Sequence, residues 1–138
     1  MAGTDEMREL LIRLYDSFNT GDPKIWRDAV AEDALGVGSD PDEWWDGRAV
    51  VLRIGETQVQ EMAAAHVRVE PGTPKIFEQG EVFWAVDRPS ISVPGGKPTS
   101  MRLTVIASRR DDRLEIRHFH LSAGVTNEEV LGEELTTA

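Results

Sequence analysis

The chain has 138 residues, of which 40% are hydrophobic and 29% charged, so it can bury the core of one domain and is not intrinsically disordered. Its formal net charge of -10 excludes nucleic acid and anionic membrane surfaces as expected partners, because phosphate groups would repel it. The absence of cysteine excludes disulfides, thiolate metal ligands and a cysteine nucleophile.

The N-terminal segment lacks a basic region followed by an apolar stretch, and no apolar run reaches the roughly 20 residues that a membrane span needs. We therefore expect a cytoplasmic protein that forms one domain over residues 1–138. No cofactor is predicted.

The beginning of the chain predicts two helices. The first follows an apolar stripe with three- and four-residue spacing, starts after a Thr4 cap and ends at Gly21. The second is short, with Asp22 as N-cap and Pro23 at the first helical position. Its apolar residues are Ile25, Trp26, Ala29 and Val30.

The middle of the chain changes character several times. A brief strand is predicted at 34–37, and a loop rich in turn residues at 38–47. A third helix follows at about 48–65.

From residue 67 onward the apolar pattern has a period of two, which predicts four strands. They cover roughly 67–79, 81–93, 99–110 and 114–123, the first with a bend at 71–74. Short turns between strands make neighbours antiparallel. Helices followed by such a meander indicate an α+β fold, and the polar residues from Thr126 are expected to fray.

Five short motifs occur in a distinctive order. They are Gly21-Asp22, Trp26 in the short helix, Ala31-Glu32-Asp33-Ala34, Asp46-Gly47-Arg48 before the long helix, and Ile116 to Ser122 in the last strand. This order resembles the SnoaL-like branch of the nuclear-transport-factor-2-like (NTF2-like) superfamily over about residues 4–125, with 126–138 as a polar tail. The resemblance implies a cone-shaped fold: three N-terminal helices on a curved antiparallel four-strand meander plus one short early strand, with a pocket between them. It also implies a homodimer formed through the outer side of the sheet.

The turn at Asp111-Asp112 predicts the pairing of the last two strands. If the register continues without interruption, the side facing the helices carries Met101, Leu103, Val105, Ala107, Leu114, Ile116, His118 and His120. The opposite side, which we expect to form the dimer face, carries Arg102, Thr104, Ile106, Arg117, Phe119 and Leu121.

The preceding strand is placed by a register in which Val93 opposes Pro98. The side chains predicted to face inward are then Val82, Trp84, Val86 and Arg88. A shift by one residue would turn Arg88 outward.

Two histidines are the strongest candidates for chemistry. His118 and His120 are two residues apart on a strand and so point the same way, and histidine transfers protons near neutral pH. Both could instead be hydrogen-bonded structural residues. A metal site needs a third ligand, and His66 lies at a helix end, so no metal is predicted.

Several other residues have two interpretations each. Asp40 either joins a histidine in catalysis or forms an Asx turn before proline. Trp44 and Trp45 either shape the pocket wall or fill the core, and Arg88 either binds an anion or carbonyl group or is solvated. The predicted pocket lining is Trp44, Trp45, Trp84, Arg88, Met101, Leu103, His118 and His120.

The ketosteroid isomerases, which share the superfamily layout, provide a comparison. Their catalytic base falls near Gly38, where the nearest carboxylate is Asp40, and their first-helix tyrosine is one position away from Tyr15. The strand 99–108 has no carboxylate. The resemblance therefore does not extend to that catalytic set.

Three functions are compatible with these features. The first is a domain that binds a small apolar or polycyclic molecule without chemistry. The second is a small-molecule enzyme of cyclase, isomerase or hydratase type that uses His118 or His120 as general acid or base. The third is a dimerising interaction domain without a ligand.

Overall fold

A computed structural model describes residues 2–138. The helices are α1 (Gly3–Thr20), α2 (Lys24–Ala29), α3 (Arg48–Ala64) and α4 (Asn127–Leu131). The strands are β1 (Val30–Val37), β2 (Trp44–Asp46), β3 (Arg68–Glu70), β4 (Lys75–Gln79), β5 (Val82–Asp87), β6 (Ser90–Ser92), β7 (Thr99–Arg110) and β8 (Arg113–Ala123). None of these helices is long and apolar enough to cross a membrane.

The strands form a curved sheet in the order β2-β1-β8-β7-β5-β4, and α1 to α3 pack on one side of it. β6 joins β7 to β3 at one end. The predicted α+β class and cone-shaped arrangement are confirmed. The sheet is mixed, however, because the early strand β1 runs parallel to its neighbour β8. The segment that connects β1 to β8 comprises most of the chain, so it is long enough for the crossover that parallel strands need.

Prolines divide two of the predicted strands. The segment 67–79 forms β3 and β4 on either side of Pro71 and Pro74, and 81–93 forms β5 and β6 around Pro89. Proline has no N–H group to donate, so the ladder of hydrogen bonds is interrupted at these positions.

The first two helices begin and end near the predicted residues. α1 starts at Gly3, so Thr4 lies inside the helix and does not cap it. Gly21 ends α1 with a left-handed φ of 80°, as glycine can without strain. α2 begins at Lys24 with Pro23 as its N-cap residue, so the predicted positions of Asp22 as N-cap and Pro23 as first helical residue were wrong by one. Asp22 Oδ1 nevertheless accepts a hydrogen bond from Lys24 N at 3.0 Å.

Three short segments differ from the prediction. Val30 begins β1 and does not belong to α2. The loop 38–47 contains the strand β2, which pairs with β1. Part of the polar tail, which was expected to fray, forms the short helix α4, where Thr126 Oγ1 accepts a hydrogen bond from Glu129 N at 3.1 Å.

A β-bulge in β8 decides which of its side chains face the helices. Next to the hairpin turn the predicted register is confirmed, and Ala107 pairs with Ile116. The following pair is Ile106 with His118, so Arg117 has no partner in β7. This extra residue shifts the alternation of β8 by one position.

The bulge reverses the predicted faces of the second half of β8. Phe119 pairs with Val105 and is only 9% exposed within the core, and Leu121 lies on the same inner side. His118 and His120 therefore point to the outer side of the sheet. Our assignment of these four residues was wrong, because one inserted residue exchanges the faces of all those that follow.

β5 is also displaced by one residue from the predicted pairing. A turn in which Gly96 N donates to Val93 O at 2.9 Å takes Val93 out of the ladder, and Ile91 pairs with Thr99. The residues of β5 on the inner side are Phe83, Ala85 and Asp87. Those predicted to face inward, Val82, Trp84, Val86 and Arg88, are instead on the outer side or exposed.

Aromatic rings form the centre of the core between the helices and the sheet. Trp26 and Trp45 each meet Phe119 edge-on, with ring centroids 5.6 Å and 5.5 Å apart. Gly36 of β1 makes room for this cluster, since a Cβ atom there would lie 2.3 Å from the Phe119 ring. Each buried aromatic side chain contributes about 1.5–3 kcal/mol to folding.

The opposite side of the sheet is left largely exposed by the described chain. Two adjacent rows of residues cross it, and we call them the outer face: Trp44, Val37, His120, Thr104, Val86 and Lys75, then Asp46, Leu35, His118, Ile106, Trp84 and Phe77. Trp84 and Phe77 stack with ring centroids 5.4 Å apart. Trp44 is 66% exposed and Phe77 and Val86 are each 41% exposed, so large apolar surface meets solvent here.

Asp87, at the end of β5, is a buried carboxylate that joins three parts of the chain. Its Oδ2 accepts hydrogen bonds from the Tyr15 hydroxyl at 2.7 Å and from Gly72 N at 3.1 Å, and its Oδ1 accepts one from Arg88 N at 2.8 Å. Burial, together with the bond to the Asp87 carboxylate, raises the pKa of Tyr15 well above its ordinary value. The cluster attaches α1 to the corner between β3 and β4.

Neighbouring substitutions in β8 test the bulge. We expect Phe119→Ala to lower the free energy of unfolding by about 3–5 kcal/mol, because it empties space in the core. His120→Ala should change it by no more than about 0.5 kcal/mol, since that side chain is exposed. Urea unfolding measures both, and a larger effect of His120→Ala than of Phe119→Ala would contradict the assigned faces.

Tyr15 is the only tyrosine, so tyrosinate absorbance reports its ionisation alone. In denaturant it should titrate near its ordinary pKa of about 10, whereas the folded protein should show no tyrosinate there. Because the folded-state pKa is raised, the contribution of Tyr15 to stability is complete below about pH 10 and is lost as the pH rises further. Tyr15→Phe should remove this alkaline loss and cost about 1.5–3 kcal/mol at neutral pH. Native-state ionisation near pH 10 would show that the bond to Asp87 does not form.

Candidate functional site

A cavity of about 460 Å³ lies between the helices and the inner side of the sheet. Its volume is within the roughly 300–1,000 Å³ typical of small-molecule sites. Most of the lining is apolar and includes Trp26, Trp45, Met62, Leu103, Val105 and Phe119. The polar residues in the lining are Ser39, Glu43, Gln58, Lys97 and Thr99, together with the ring of Tyr15.

A wider groove of about 700 Å³ lies at the surface between α1, α2 and the turn that joins β7 to β8. Most of its lining is charged and comprises Glu6, Glu9, Arg13, Asp28, Asp112 and Arg113. Charges of both signs on an open groove are well solvated, so we take the apolar cavity as the candidate site.

Three of the residues predicted to line a pocket do line this cavity, namely Trp45, Met101 and Leu103. Trp44, Trp84 and Arg88 do not. Trp44 and Trp84 belong to the outer face, and Arg88 is exposed beyond the end of β5. The assignments of Trp84 and Arg88 were wrong because the register of β5 differs from the predicted one by one residue. That of Trp44 was wrong because the predicted loop contains the strand β2, in which Trp44 and Trp45 point to opposite sides of the sheet.

The two histidines lie away from the cavity. His118 Nδ1 donates a hydrogen bond to the Leu35 carbonyl of β1 at 2.7 Å, and His120 is exposed, with its ring centroid 6.4 Å from that of His118. His118 thus has the structural role that was the alternative interpretation.

Asp40 is not part of the cavity lining either. Its Oδ1 accepts a hydrogen bond from Asp42 N at 2.9 Å, which is the predicted Asx turn. His66 is exposed just after α3, and residues 2–138 contain no group of three or more His, Asp or Glu side chains that could hold a metal ion. The proposed combination of Asp40 with a histidine is therefore not assembled in this structure.

Glu43 and Gln58 form a polar pair at the cavity that the sequence did not lead us to expect. Gln58 Nε2 of α3 donates to Glu43 Oε2 at 2.7 Å, and Asp40 N donates to Glu43 Oε1 at 2.9 Å. Glu43 is the only acidic residue among the described residues of the lining. The feature of the sequence that is related to this pair is the glycine at residue 38, because a larger residue there would collide with the Glu43 side chain.

Tyr15 lines the cavity but has no proton left to donate to a ligand. A hydroxyl group has one donor, and that of Tyr15 is directed to Asp87. The difference from the isomerase set that the sequence indicated at Tyr15 therefore agrees with the bond of this hydroxyl to Asp87. Asp87 itself was missed because its register was shifted by one residue.

The comparisons with known proteins agree on family and fold. The profile of the SnoaL-like domain matches residues 7–126. No curated protein sequence matches the chain significantly. An NTF2-like protein of unknown function from Pseudomonas putida superposes with a TM-score of 0.81 at 17% identity, covering 98% of this chain and 94% of that protein.

Two further structures are similar at low identity. An uncharacterised protein with a cystatin-like fold from Caulobacter vibrioides has a TM-score of 0.75 and 19% identity over 93% of this chain and 94% of that one. An NTF2-like superfamily protein from Salmonella enterica has a TM-score of 0.75 and 15% identity over 96% of each chain. At such identities the structures show the fold alone, whereas the profile covers most of the sequence. The chain belongs to the SnoaL-like domain family, and it shares the fold of NTF2-like proteins.

Proposed function

We propose that this SnoaL-like domain binds a small apolar molecule in its cavity. The observation that carries the proposal is the lining, in which aromatic and aliphatic side chains surround a space of about 460 Å³ with few polar groups. Sites of this composition bind ligands by removing apolar surface from water, and their few polar groups orient the ligand.

Binding without chemistry is better supported than catalysis by histidine. The described residues that line the cavity include no histidine, and Tyr15 is hydrogen-bonded to a buried carboxylate. A general acid or base must reach the proton that it transfers. His118 and His120 cannot do so from the other side of the sheet.

A substitution that fills the cavity tests the proposal. We expect polycyclic ketones, steroids or short acids in a thermal-shift screen to include a compound that raises the Tm of the wild-type protein. A ligand at about 100 times its Kd stabilises the folded state by about 2.7 kcal/mol. Leu103→Trp should abolish the shift, because its indole ring would occupy the cavity.

Val130→Trp is the control. It adds the same ring to the exposed helix α4, away from the cavity lining and from the outer face, and should keep the ligand-induced shift. If no compound of a broad panel shifts the wild-type Tm, or if Leu103→Trp responds like Val130→Trp, the cavity is not the binding site.

We also propose that the outer face joins two copies of the chain. Seven large apolar side chains lie on it, several of them exposed, and only Asp46 is acidic among its twelve residues. The chain as a whole has 25 Asp and Glu residues. A face so poor in acids allows two copies with a net charge of -10 each to approach without local repulsion.

The size of the face fits a dimer. Six strands about 4.8 Å apart and about 20 Å of strand length give roughly 600 Å² for each copy. Specific interfaces bury about 600–1,000 Å² for each partner. Of the residues predicted for this role, Arg102, Thr104 and Ile106 are on the outer side, and Arg117 is exposed at the bulge, where it pairs with Asp33 at 3.2 Å. Phe119 and Leu121 were predicted for the dimer face but line the cavity instead. The large apolar residues of the outer face include Leu35, Trp84 and Phe77.

Ile106→Asp tests the dimer, because it buries a charge at the centre of the interface. We expect it to shift the protein from dimer to monomer in sedimentation velocity, with Kd raised at least about 100-fold. Val130→Asp adds the same charge to the exposed helix α4 and should leave the dimer intact. A monomeric wild-type protein, or equal behaviour of the two variants, would contradict the proposal.

A further inference from the structure

Glu43 is held in one orientation at the cavity before any ligand binds. Besides its two side-chain hydrogen bonds, its carbonyl oxygen accepts from Gly38 N at 2.9 Å and its own N–H donates to the Asp40 carbonyl at 3.0 Å. A Cβ atom at residue 38 would lie only 2.7 Å from Glu43 Cβ, so glycine is needed there. A fixed polar group costs little ordering entropy when it binds a ligand.

Glu43 and Gln58 together present both hydrogen-bond acceptors and a donor. An ionised carboxylate only accepts hydrogen bonds, so the amide nitrogen of Gln58 must face it. Each carboxylate oxygen keeps a further lone pair, and the Gln58 nitrogen keeps a second N–H. A hydroxyl group, which both donates and accepts, complements the pair. A methyl group satisfies neither partner, and an ammonium leaves the second N–H of Gln58 without an acceptor.

Two other polar residues of the lining, Lys97 and Tyr15, compete weakly for a ligand. Lys97 is exposed on the turn before β7, where water and salt screen an ion pair with a ligand. A ligand carboxylate in the cavity would also be repelled by the like charge of Glu43. Tyr15 donates to Asp87 and offers no proton.

We infer that the cavity selects an apolar alcohol or phenol, whose hydroxyl group binds Glu43 and Gln58 while its hydrocarbon body packs on the aromatic residues beneath. The inference rests on the proposed binding function and names Glu43 as its specificity-determining residue. Hydrogen bonds to charged groups are among the stronger ones. Replacing a ligand methyl group by hydroxyl should therefore increase affinity about tenfold.

Two ligand series test this selectivity, built on naphthalene and on phenanthrene. Each carries a methyl, hydroxyl, aminomethyl or carboxylate group at one ring position. Kd is measured from tryptophan fluorescence, because Trp26 and Trp45 line the cavity. We expect the hydroxyl compounds to bind about tenfold more tightly than the methyl compounds, and the carboxylates to bind most weakly.

Glu43→Gln keeps the size of the side chain but removes its charge. It should reduce the preference for hydroxyl over methyl about three- to tenfold and improve the affinity for the carboxylates. Unchanged Kd values for the methyl compounds would show that the variant is folded. Asp42→Asn makes the same charge change in the same loop, outside the described lining, and should alter none of the affinities.

The outcomes separate the inference from the binding function. Equal affinities for methyl and hydroxyl compounds, or an unchanged preference in Glu43→Gln, would overturn the inference and leave the binding function standing. Tightest binding of the carboxylates, lost in Lys97→Gln, would overturn it in favour of an anionic ligand. If no compound of either series binds the wild-type protein, the binding function fails and the inference with it.

Discussion

The bulge at Arg117 is the constraint on which the rest of the site depends. β8 lies between β1 and β7 in the middle of the sheet, so whatever its inner side presents becomes the floor of the cavity. Without the extra residue the floor would carry two imidazole rings. With the extra residue, the floor carries Phe119 and Leu121. Gly36, which pairs with Phe119, has no side chain that would collide with the Phe119 ring. One unpaired residue therefore decides whether the floor of the cavity presents imidazole rings or apolar side chains.

Much of the fold could be predicted because its signals are local. The apolar stripe of α1, the glycine that ends it and the alternation of Met101, Leu103, Val105 and Ala107 in β7 each depend on near neighbours in sequence. In β8 the inward and outward residues were assigned by continuing the strand register from the hairpin turn. The bulge changes that register partway along the strand, so the assignment failed beyond it. The spacing of the apolar residues in β8 does indicate the bulge, since Leu114, Ile116, Phe119 and Leu121 are separated by two, three and two positions.

The polar residues of the site were harder to predict for another reason. Glu43 and Gln58 come from the loop after β1 and from the middle of α3, and Asp87 meets Tyr15 across 72 positions of the chain. Neither spacing nor composition distinguishes them from the many solvated acids of this chain. Asp87 in particular precedes Arg88-Pro89 and is typical of a surface turn by sequence, yet the corner at Gly72 buries it.

The two proposed surfaces of this domain share the same strands. Along β7 and most of β8, odd and even positions alternate between the cavity and the outer face, as Leu103 and Thr104 do. Sequence variation can therefore alter ligand preference and self-association separately, one residue at a time. The cavity and the outer face are nevertheless mechanically coupled, because they are the two sides of one sheet. A ligand that changes the curvature of these strands changes the shape of both sides. Substitutions in such a family can accumulate independently on the two sides of the sheet, whereas a change in the curvature of the sheet affects both sides together.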